Sequence, residues 1–332
     1  MDDLFYKLLI LRTPGIGPVK YAELIRSFGN ARDAAASLMC NDSFCDSVKR
    51  EMNRAASMGI IYLTDDDLNY PATLREIKNH PPVLTVRGNL SVFAKPSVGI
   101  VGTRHATGAG MRFISELSHS FAENGYAVVS GMAMGTDTAA HTGALCANGD
   151  SQTIAVLAGG VDYVWPLENE SLYHEIIARG AAVSELPVGT IPIANNFIQR
   201  NRWVSALSQK LILGEADQKS GSMATARFAT EHKRPVFAVP GHPLDARSVG
   251  SNQLIRAGVA TLCMGASDFF DVNKTKKSNP ENDVINKLGI VPLSESVLAE
   301  LVKKNIMEIK QDLMVLELQG LVRKQEGGYI KI

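Results

Sequence analysis

The sequence predicts an α/β protein whose centre is a doubly wound, mostly parallel sheet. Three observations lead to that fold class: short β-branched runs, a glycine at the end of several of these runs, and helical periodicity between them. Apolar runs without polar alternation are typical of strands buried on both faces of a parallel sheet. From residue 97 to residue 271, strand-like and helix-like segments alternate with little interruption, which indicates linked βαβ units.

Residues 98–137 show this unit most clearly. Two apolar runs in the stretch end at Gly102 and Gly131. Between the runs, apolar side chains recur every four residues, and a glycine follows where a helix C-cap belongs. These residues are Phe113, Leu117, Phe121 and Gly125.

The carboxyl ends of the strands are the predicted ligand edge. In an open α/β sheet ligands bind where the strands end, and glycine lets backbone N–H groups face an anion. Arg104, two residues beyond the first strand, adds a guanidinium suited to phosphate. Glycines that follow later runs in the same way are Gly159, Gly160 and Gly221. These ends predict an anion-binding groove; the alternative is that the glycines only make tight turns and that Arg104 is a solvated surface residue.

Composition limits the classes of protein that fit. The chain has 332 residues, of which 45% are hydrophobic and 20% charged, as in globular proteins of about two or three domains. Lys+Arg and Asp+Glu both count 34, so polyanion binding requires a local patch. The four cysteines form no CxxC pair, and no 18-residue apolar run occurs. We therefore expect a cytoplasmic protein with reduced thiols and no membrane partner.

The sequence predicts three domains and a linker. Residues 1–63 form a helical domain, residues 64–272 the α/β domain, residues 273–282 a polar linker and residues 283–332 a winged-helix domain. A Gly-x-Gly turn in the helical domain fits either a helix-hairpin-helix, whose amides grip a DNA phosphate, or a plain αα-turn. Residues 83–86 are expected to form an edge strand ahead of the main sheet.

The helix in the recognition position of the winged-helix pattern is net acidic. Glu308, Asp312 and Glu317 oppose Lys310. Because the major groove of duplex DNA repels a negative helix, we expect this domain to contact protein, either a partner or a second copy.

One short segment combines arginine with aromatic side chains. Arg200, Asn201 and Arg202 lie between Phe197 and Trp203. A guanidinium suits phosphate and an aromatic face suits a base, so the mixture fits single-stranded nucleic acid. The alternative is that the aromatic residues belong to the core and that the arginines coat a helix.

Several enzyme classes are disfavoured because their motifs are missing. The first turn is not G-x-G-x-x-G, and the second strand does not end in an acidic residue, which argues against a dinucleotide-dependent oxidoreductase. The sequence contains neither a P-loop nor a G-x-S-x-G elbow. Asp137 and His141 stand one helical turn apart and are expected to form an internal hydrogen-bonded pair. No catalytic set, metal site or cofactor is predicted.

Five motifs, in order along residues 98–258, resemble those of the DNA-processing protein A family (DprA, also called Smf). The matches are Gly102-Thr103-Arg104 with G-[ST]-R, residues 130–141 with S-G-x-A-x-G-I-D-x-x-A-H, residues 197–202 with F-P-x-R-N-R, residues 221–226 with G-S-L-x-T-A, and residues 250–255 with G-[CST]-N-x-L-I. The helical amino-terminal segment is also similar to that of the family.

This resemblance implies a Rossmann-like domain that binds single-stranded DNA without sequence preference, forms a homodimer and hands the strand to the RecA recombinase. Such a role serves recombination of incoming DNA, notably in natural transformation, and it is a binding role rather than an enzymatic one. The implied DNA-binding residues are Gly102, Arg104, Ser130, Gly131, Gly159, Gly160, Arg200, Asn201, Arg202, Gly221, Ser222 and Thr225.

Some positions depart from the family pattern. Met134 stands where arginine is frequent, Ile198 where proline is usual and Gln199 where lysine is common. The two missing cations are expected to weaken DNA binding and its salt dependence by about one counterion each.

Two rival functions stay open on the sequence. A nucleotide-processing enzyme of the phosphoribohydrolase type also binds phosphate at glycine turns, although Pro240-Gly241-His242-Pro243 breaks its P-G-G-x-G-T motif. The other rival is a structural adaptor that works through the winged helix alone.

Overall fold

The computed structural model describes residues 3–149, 152–270, 283–289, 292–318, 321–325 and 327–331. The chain divides into two compact units, Met1–Phe269 and Phe270–Ile332. The predicted linker at residues 273–282 lies outside the described residues, so its role remains a prediction.

Nine strands of the first unit pair into one sheet within the described residues. They are β1 (Ile61–Thr64), β2 (Val83–Gly88), β3 (Ser97–Val101), β4 (Ala127–Ser130), β5 (Thr153–Val156), β6 (Ala181–Ser184), β7 (Lys210–Leu213), β8 (Val236–Ala238) and β9 (Thr261–Leu262). The order across the sheet is β1-β2-β6-β5-β4-β3-β7-β8-β9. The strands from β6 across to β9 are parallel, whereas β2 is antiparallel to β6 and β1 is antiparallel to β2. The structure confirms the predicted fold class.

Helices precede the sheet and connect its strands. They are α1 (Asp3–Arg12), α2 (Pro18–Phe28), α3 (Ala31–Ala36), α4 (Asp42–Ser57), α5 (Ala72–Arg75), α6 (Gly108–Glu123), α7 (Thr136–Leu145), α8 (Glu170–Arg179), α9 (Ala194–Ala206), α10 (Gly221–Glu231) and α11 (Val249–Arg256). Short 3-10 turns occupy Leu90–Ala94, Leu167–Asn169, Ala246–Ser248 and Ala266–Asp268.

The direction of strand succession reverses between β3 and β7. From β3 the chain steps outward through β4, β5 and β6 on one side, and from β7 it steps through β8 and β9 on the other. At such a switch point the connections that leave two neighbouring strands diverge, and a crevice opens between them. Here it opens beyond Val101 and Leu213, the last residues of β3 and β7.

The sheet buries a core on each face because successive strand residues point to opposite sides. In β5, Ile154 and Val156 belong to the cluster that packs against α9 and α10, whereas Ala155 belongs to the cluster that contains Tyr173 and Ile176 of α8. This two-sided burial explains why the strand sequences lack polar alternation.

The prediction that residues 83–86 form an edge strand is wrong. Residues 83–86 begin β2, which is an internal strand and not the edge of the sheet. On one side Val86 pairs with Ile61 of β1, and on the other side Thr85 pairs with Ser184 of β6. Because β1 has four residues, its sequence shows too little periodicity to be distinguished from a loop.

The amino-terminal helices form a cluster that extends onto the sheet. Leu8 and Ile10 of α1 are buried with Tyr21 of α2 and Val48 of α4, and Val83 of β2 belongs to the same cluster. Burial against a strand therefore links the helical segment to the sheet within the first unit.

The second unit is a small winged helix. Its elements are α12 (Asp283–Lys287), α13 (Glu295–Val302), α14 (Ile306–Leu318), β10 (Val322–Gln325) and β11 (Gly328–Lys331). The two strands pair as an antiparallel hairpin, and Leu298, Ile309 and Leu313 lie in the core of the unit. The Ser294 hydroxyl oxygen accepts a hydrogen bond from the Val297 N–H at 3.4 Å and so caps α13.

Candidate functional site

A cleft of about 520 Å³ opens at the switch point between β3 and β7. Its walls come from the loop after β3, from the first turns of α9, and from the loop and first turn of α10. The predicted binding residues that line it are Gly102, Arg104, Arg200, Asn201, Gly221, Ser222 and Thr225.

Arg104 lies exposed on one wall of the cleft. Its guanidinium carbon is 5.2 Å from the ring centroid of Trp165 and 5.6 Å from that of Phe197. The two rings meet edge to face, with their centroids 4.6 Å apart. Contact with two aromatic faces restrains the cation and leaves its N–H donors available to an anion.

Gly102 lets the end of β3 approach its neighbours. A Cβ at this position would overlap Thr136 Oγ1 and lie 2.9 Å from the Glu215 carbonyl oxygen. The Thr103 N–H donates to that carbonyl oxygen at 2.7 Å, and the Thr136 N–H donates to the Thr103 carbonyl oxygen at 3.2 Å. Packing of the protein therefore requires glycine here, whether or not a ligand is bound.

The amino terminus of α10 forms another wall of the cleft. Ser220 caps the helix, because its hydroxyl oxygen accepts from the Ser222 N–H at 3.3 Å. A Cβ on Gly221 would meet its nearest neighbour, Asn201 Nδ2, at 3.7 Å, so the approach to this backbone is open. The buried Thr225 hydroxyl has no hydrogen-bond partner within the described ranges. A helix amino terminus beside an unpartnered hydroxyl is suited to an anion.

Arg200 and Asp137 form a buried ionic floor, and each is 6% exposed. Arg200 Nη1 donates to the Gly131 carbonyl oxygen and, at 2.9 Å, to that of Val156, while Nε donates to Asn201 Oδ1 at 3.1 Å. Burial lowers the pKa of Arg200, and the Asp137 carboxylate opposes that shift. Burial likewise raises the pKa of Asp137 against the opposing effect of Arg200. Oxygen atoms of the protein itself therefore accept the hydrogen bonds that Arg200 donates.

The end of β4 is closed by the protein's own groups. Ser130 is fully buried, and its hydroxyl donates to the Ile100 carbonyl oxygen at 2.7 Å. The Gly131 carbonyl oxygen accepts from Arg200, and a Cβ on Gly131 would overlap that guanidinium. The structure therefore does not bring Ser130 or Gly131 to the cleft wall. Gly131 instead holds the Arg200 side chain in the floor of the cleft.

Gly159 and Gly160 are covered by the loop that follows β6. A Cβ on Gly159 would lie 2.7 Å from the Thr190 carbonyl oxygen, and a Cβ on Gly160 would lie 2.7 Å from that of Pro187. The Gly160 N–H donates to the Thr190 carbonyl oxygen at 2.9 Å. That loop comes from elsewhere in the chain and takes the position predicted for a phosphate, so the structure does not bring these glycines to the cleft.

Arg202 lies apart from the cleft. Its Nη2 donates to the Lys78 carbonyl oxygen at 3.0 Å, and its guanidinium carbon is 4.8 Å from the ring centroid of Trp203. Trp203 is buried in the main core, as the alternative interpretation of the motif anticipated. Both residues follow a turn of α9 that does line the cleft, so one helix contributes to the site and to the core.

The predicted hydrogen bond between Asp137 and His141 is wrong. His141 Nδ1 is 2.7 Å from Thr153 Oγ1, whose own proton goes to the Val128 carbonyl oxygen at 2.7 Å. His141 therefore donates from Nδ1, and its Nε2 has no partner among the described residues. Burial lowers the pKa of His141 to about 3, so the ring is neutral at neutral pH. Asp137 Oδ2 accepts instead from the Ala133 N–H at 3.2 Å.

Several residues of the site were not predicted, and two of them bear directly on its chemistry. Lys219 lines the cleft directly before the N-cap of α10, and Trp165 lies beneath Arg104. Lys219 stands next to the Gly221-Ser222 motif, so a cation beside an expected helix amino terminus was an available signal. For Trp165 the sequence offers no such signal, because the folding of the loop after β5 brings it to Arg104.

Within the described ranges no group of three or more His, Cys, Asp or Glu side chains is placed to hold a metal ion. In the same ranges no helix combines the length and the apolar character needed to cross a membrane. The cysteines there are free thiols.

A parallel sheet with glycine turns, an arginine and a helix amino terminus at its switch point defines a Rossmann-like protein with a cleft suited to phosphate groups. The chain belongs to the family described as DNA recombination-mediator protein A, whose model matches residues 61–274. A second model, described as a DprA-like N-terminal HHH domain, matches residues 1–39. The resemblance seen in the motifs is confirmed.

Individual relatives agree with this family. The chain is 38% identical over 236 residues to the protein Smf of Synechocystis sp., in an alignment that covers 70% of this chain and 55% of that protein. The X-ray structure of DNA processing protein A from Streptococcus pneumoniae superimposes with a TM-score of 0.67 at 30% identity, over 80% of this chain and 96% of that one. DNA processing protein A from Helicobacter pylori, whose structure concerns its single-stranded DNA binding mode, gives a TM-score of 0.58 at 32% identity, over 64% and 94%.

Proposed function

We propose that this chain binds single-stranded DNA in the cleft between β3 and β7 and loads a RecA-type recombinase onto it. The observation that carries the proposal is that the exposed Arg104 guanidinium and the open amino terminus of α10 line one cleft. A phosphodiester bound there receives hydrogen bonds from both walls. Single-stranded DNA binding by the Helicobacter pylori relative supports the choice of ligand.

The bases find an aromatic surface beside the phosphate site. Tyr163 and Trp165 are 37% and 38% exposed, and Phe197 lines the cleft. Every base has a π face, so stacking on these rings tolerates any sequence and contributes about 1–3 kcal/mol per base. The proposed binding is therefore independent of sequence.

Recombinase loading and dimerisation belong to the proposal through family membership. A mediator of this kind protects incoming DNA and serves recombination, as in natural transformation, without turnover of a substrate. Light scattering at micromolar concentration tests the dimer, and a monomer throughout the concentration range contradicts it. A RecA strand-exchange assay on DNA coated with single-strand-binding protein tests loading, which requires faster exchange when this chain is added.

The experiment for DNA binding is an anisotropy titration of labelled oligo-dT at two salt concentrations. Arg104→Ala is expected to weaken binding roughly tenfold for every sequence alike and to reduce the salt slope by about one. Equal affinity of the variant and the parent would show that the cleft is not the DNA site. The rival phosphoribohydrolase predicts release of free base from a nucleoside monophosphate, which chromatography of the same samples detects.

We also propose that the winged-helix unit contacts protein rather than duplex DNA. Lys310 forms an ion pair with Glu295, with Nζ 3.5 Å from the carboxylate oxygen. Met307 and Met314 of α14 are 76% and 67% exposed, and exposed methionines form adaptable contact surfaces. Tight, salt-sensitive duplex binding by a fragment of residues 283–332 would contradict this proposal.

A further inference from the structure

The loop that carries Arg104 is fastened at both ends to a single residue, Glu215. At the start of the loop, the Thr103 N–H donates to the Glu215 carbonyl oxygen at 2.7 Å. At its end, the Thr107 N–H donates to Glu215 Oε2 at 2.7 Å and the Thr107 hydroxyl donates to Oε1 at 2.6 Å. A Cβ on Gly110 would lie 2.8 Å from the carboxylate, so glycine leaves the space that this carboxylate fills.

The same carboxylate closes the amino terminus of α6. Thr107 caps this helix by accepting from the Gly110 N–H at 2.9 Å, and Glu215 receives both protons that Thr107 donates. A negative charge is stabilised at a helix amino terminus. In dinucleotide-binding folds the phosphate occupies the corresponding terminus after the first strand. Here the protein's own carboxylate takes that position, while the amino terminus of α10 stays open.

We propose that Glu215 is a positioning residue for DNA binding. It fixes the loop from Thr103 to Thr107 so that Arg104 faces the cleft, and it directs the phosphodiester to α10 by occupying the terminus of α6. The inference rests on the proposed function and deepens it. Glu215 is half-buried and is not among the residues that line the cleft, so it acts through the loop rather than by contact with DNA.

A positioning role for Glu215 and simple electrostatics predict opposite effects on DNA affinity when this residue is replaced by alanine. A carboxylate near a bound phosphate repels it, so removal of the charge alone should strengthen binding. If Glu215 holds the cation in place, loss of its hydrogen bonds should weaken binding instead. Gln at this position separates the two effects, because its oxygen can accept from the Thr107 N–H and its amide can donate to the Thr107 hydroxyl oxygen.

The test is a double-mutant cycle on the full chain with labelled oligo-dT. Glu215→Ala is expected to weaken binding roughly tenfold in the parent and less than about twofold in the Arg104→Ala background, because coupled residues are not additive. Glu215→Gln should bind at least as tightly as the parent. Glu231→Ala removes an exposed carboxylate from the far end of α10 and is the matched control, with unchanged affinity expected.

Amide hydrogen exchange provides a readout that does not depend on DNA. The amides of Thr107 and Gly110 should exchange faster in Glu215→Ala and at the parental rate in Glu215→Gln. Thr107→Val removes the hydroxyl bonds to Glu215 and from Gly110 but keeps the backbone N–H that donates to Glu215, so the amide of residue 107 is its readout and should show a smaller change of the same sign. This variant carries the test if Glu215→Ala does not fold.

Equal losses of affinity in the parent and in the Arg104→Ala background would overturn the positioning role. Unchanged amide exchange in Glu215→Ala or Thr107→Val would overturn it as well. If the parent does not bind oligo-dT but the amides behave as expected, the DNA-binding proposal fails while the fastening of the loop by Glu215 stands.

Discussion

Two parts of the carboxyl edge of the sheet carry the same sequence signal and have different structures. Beyond β3, Gly102 is packed against Thr136 and Glu215, but the loop that follows it carries the exposed Arg104 into the cleft, and at the start of α10 the space beside Gly221 is open. Beyond β4 and β5, glycine is followed by the Arg200 guanidinium or by the loop after β6. A glycine at the end of a strand therefore indicates close approach of another group, but the sequence does not say whether that group is a ligand or the protein itself.

The two arginines of the cleft show the same contrast. Arg104 is exposed and contacts aromatic rings, whereas Arg200 is buried, donates to carbonyl oxygens and is stabilised electrostatically by Asp137. We infer that one side of the cleft binds and that the other side supports.

Arg200→Met is expected to lower the free energy of unfolding by about 3–5 kcal/mol, because it leaves two buried carbonyl oxygens without this donor and the buried Asp137 carboxylate without a nearby positive charge. Urea denaturation followed by circular dichroism measures the loss. Addition of Asp137→Asn removes that charge and should restore part of the stability. A loss below about 1 kcal/mol would place Arg200 with Arg104 on the binding side.

His141 makes the closed side sensitive to acid. Its pKa is about 3 in the folded chain and 6.5 in the reference state, so between these values the unfolded chain holds the additional proton. The contribution of His141 to the free energy of unfolding is therefore fully present above pH 6.5. It falls as the pH drops toward 3, by about 2 kcal/mol at pH 5. Urea denaturation at pH 7 and pH 5 measures this slope.

The corresponding variant is His141→Asn, whose amide can still donate to Thr153 but does not titrate. It should lose less stability between pH 7 and pH 5 than the parent does. His174→Asn changes an exposed histidine and should keep the parental slope. If His141→Asn also keeps that slope, another group causes the acid sensitivity.

Trp165→Ala tests the open side. It removes a stacking surface and one of the two rings that restrain Arg104, so oligo-dT binding should weaken roughly tenfold, equivalent to about 1.4 kcal/mol. Anisotropy measures the affinity, and Phe197→Leu provides a second variant at the partner ring. Unchanged affinity in both variants would mean that bases do not stack at this position.

Arg202→Ala should change oligo-dT affinity by less than about twofold, because this arginine contacts the Lys78 carbonyl and the Trp203 ring outside the cleft. It is the counterpart of Arg104→Ala, with the same loss of charge at a nearby position in the fold. A loss as large as that of Arg104→Ala would extend the DNA path beyond the cleft and across α9.

The sheet and the open part of the site were accessible from sequence because local patterns determine them. The turn at Gly102 with Arg104 and the Gly221-Ser222 helix start are each contiguous in the chain. The closed part depends on non-local packing: the loop at Thr190 that covers Gly160 follows a different strand, and no periodicity links the two segments. For the same reason β2 was misplaced, since its neighbours in the sheet are set by tertiary pairing.

The position of β2 has a consequence for how the chain reaches its native state. The Thr85 hydroxyl donates to the Ser184 carbonyl oxygen across 99 positions of sequence. During synthesis the hairpin of β1 and β2 thus emerges long before its docking strand, and its outer backbone groups stay unpaired until β6 has been made. Closing so large a loop is slow, and an exposed strand edge favours association with other chains. We expect the yield of native protein to depend on how well this early hairpin is shielded, and the helices that pack against Val83 are placed to shield it.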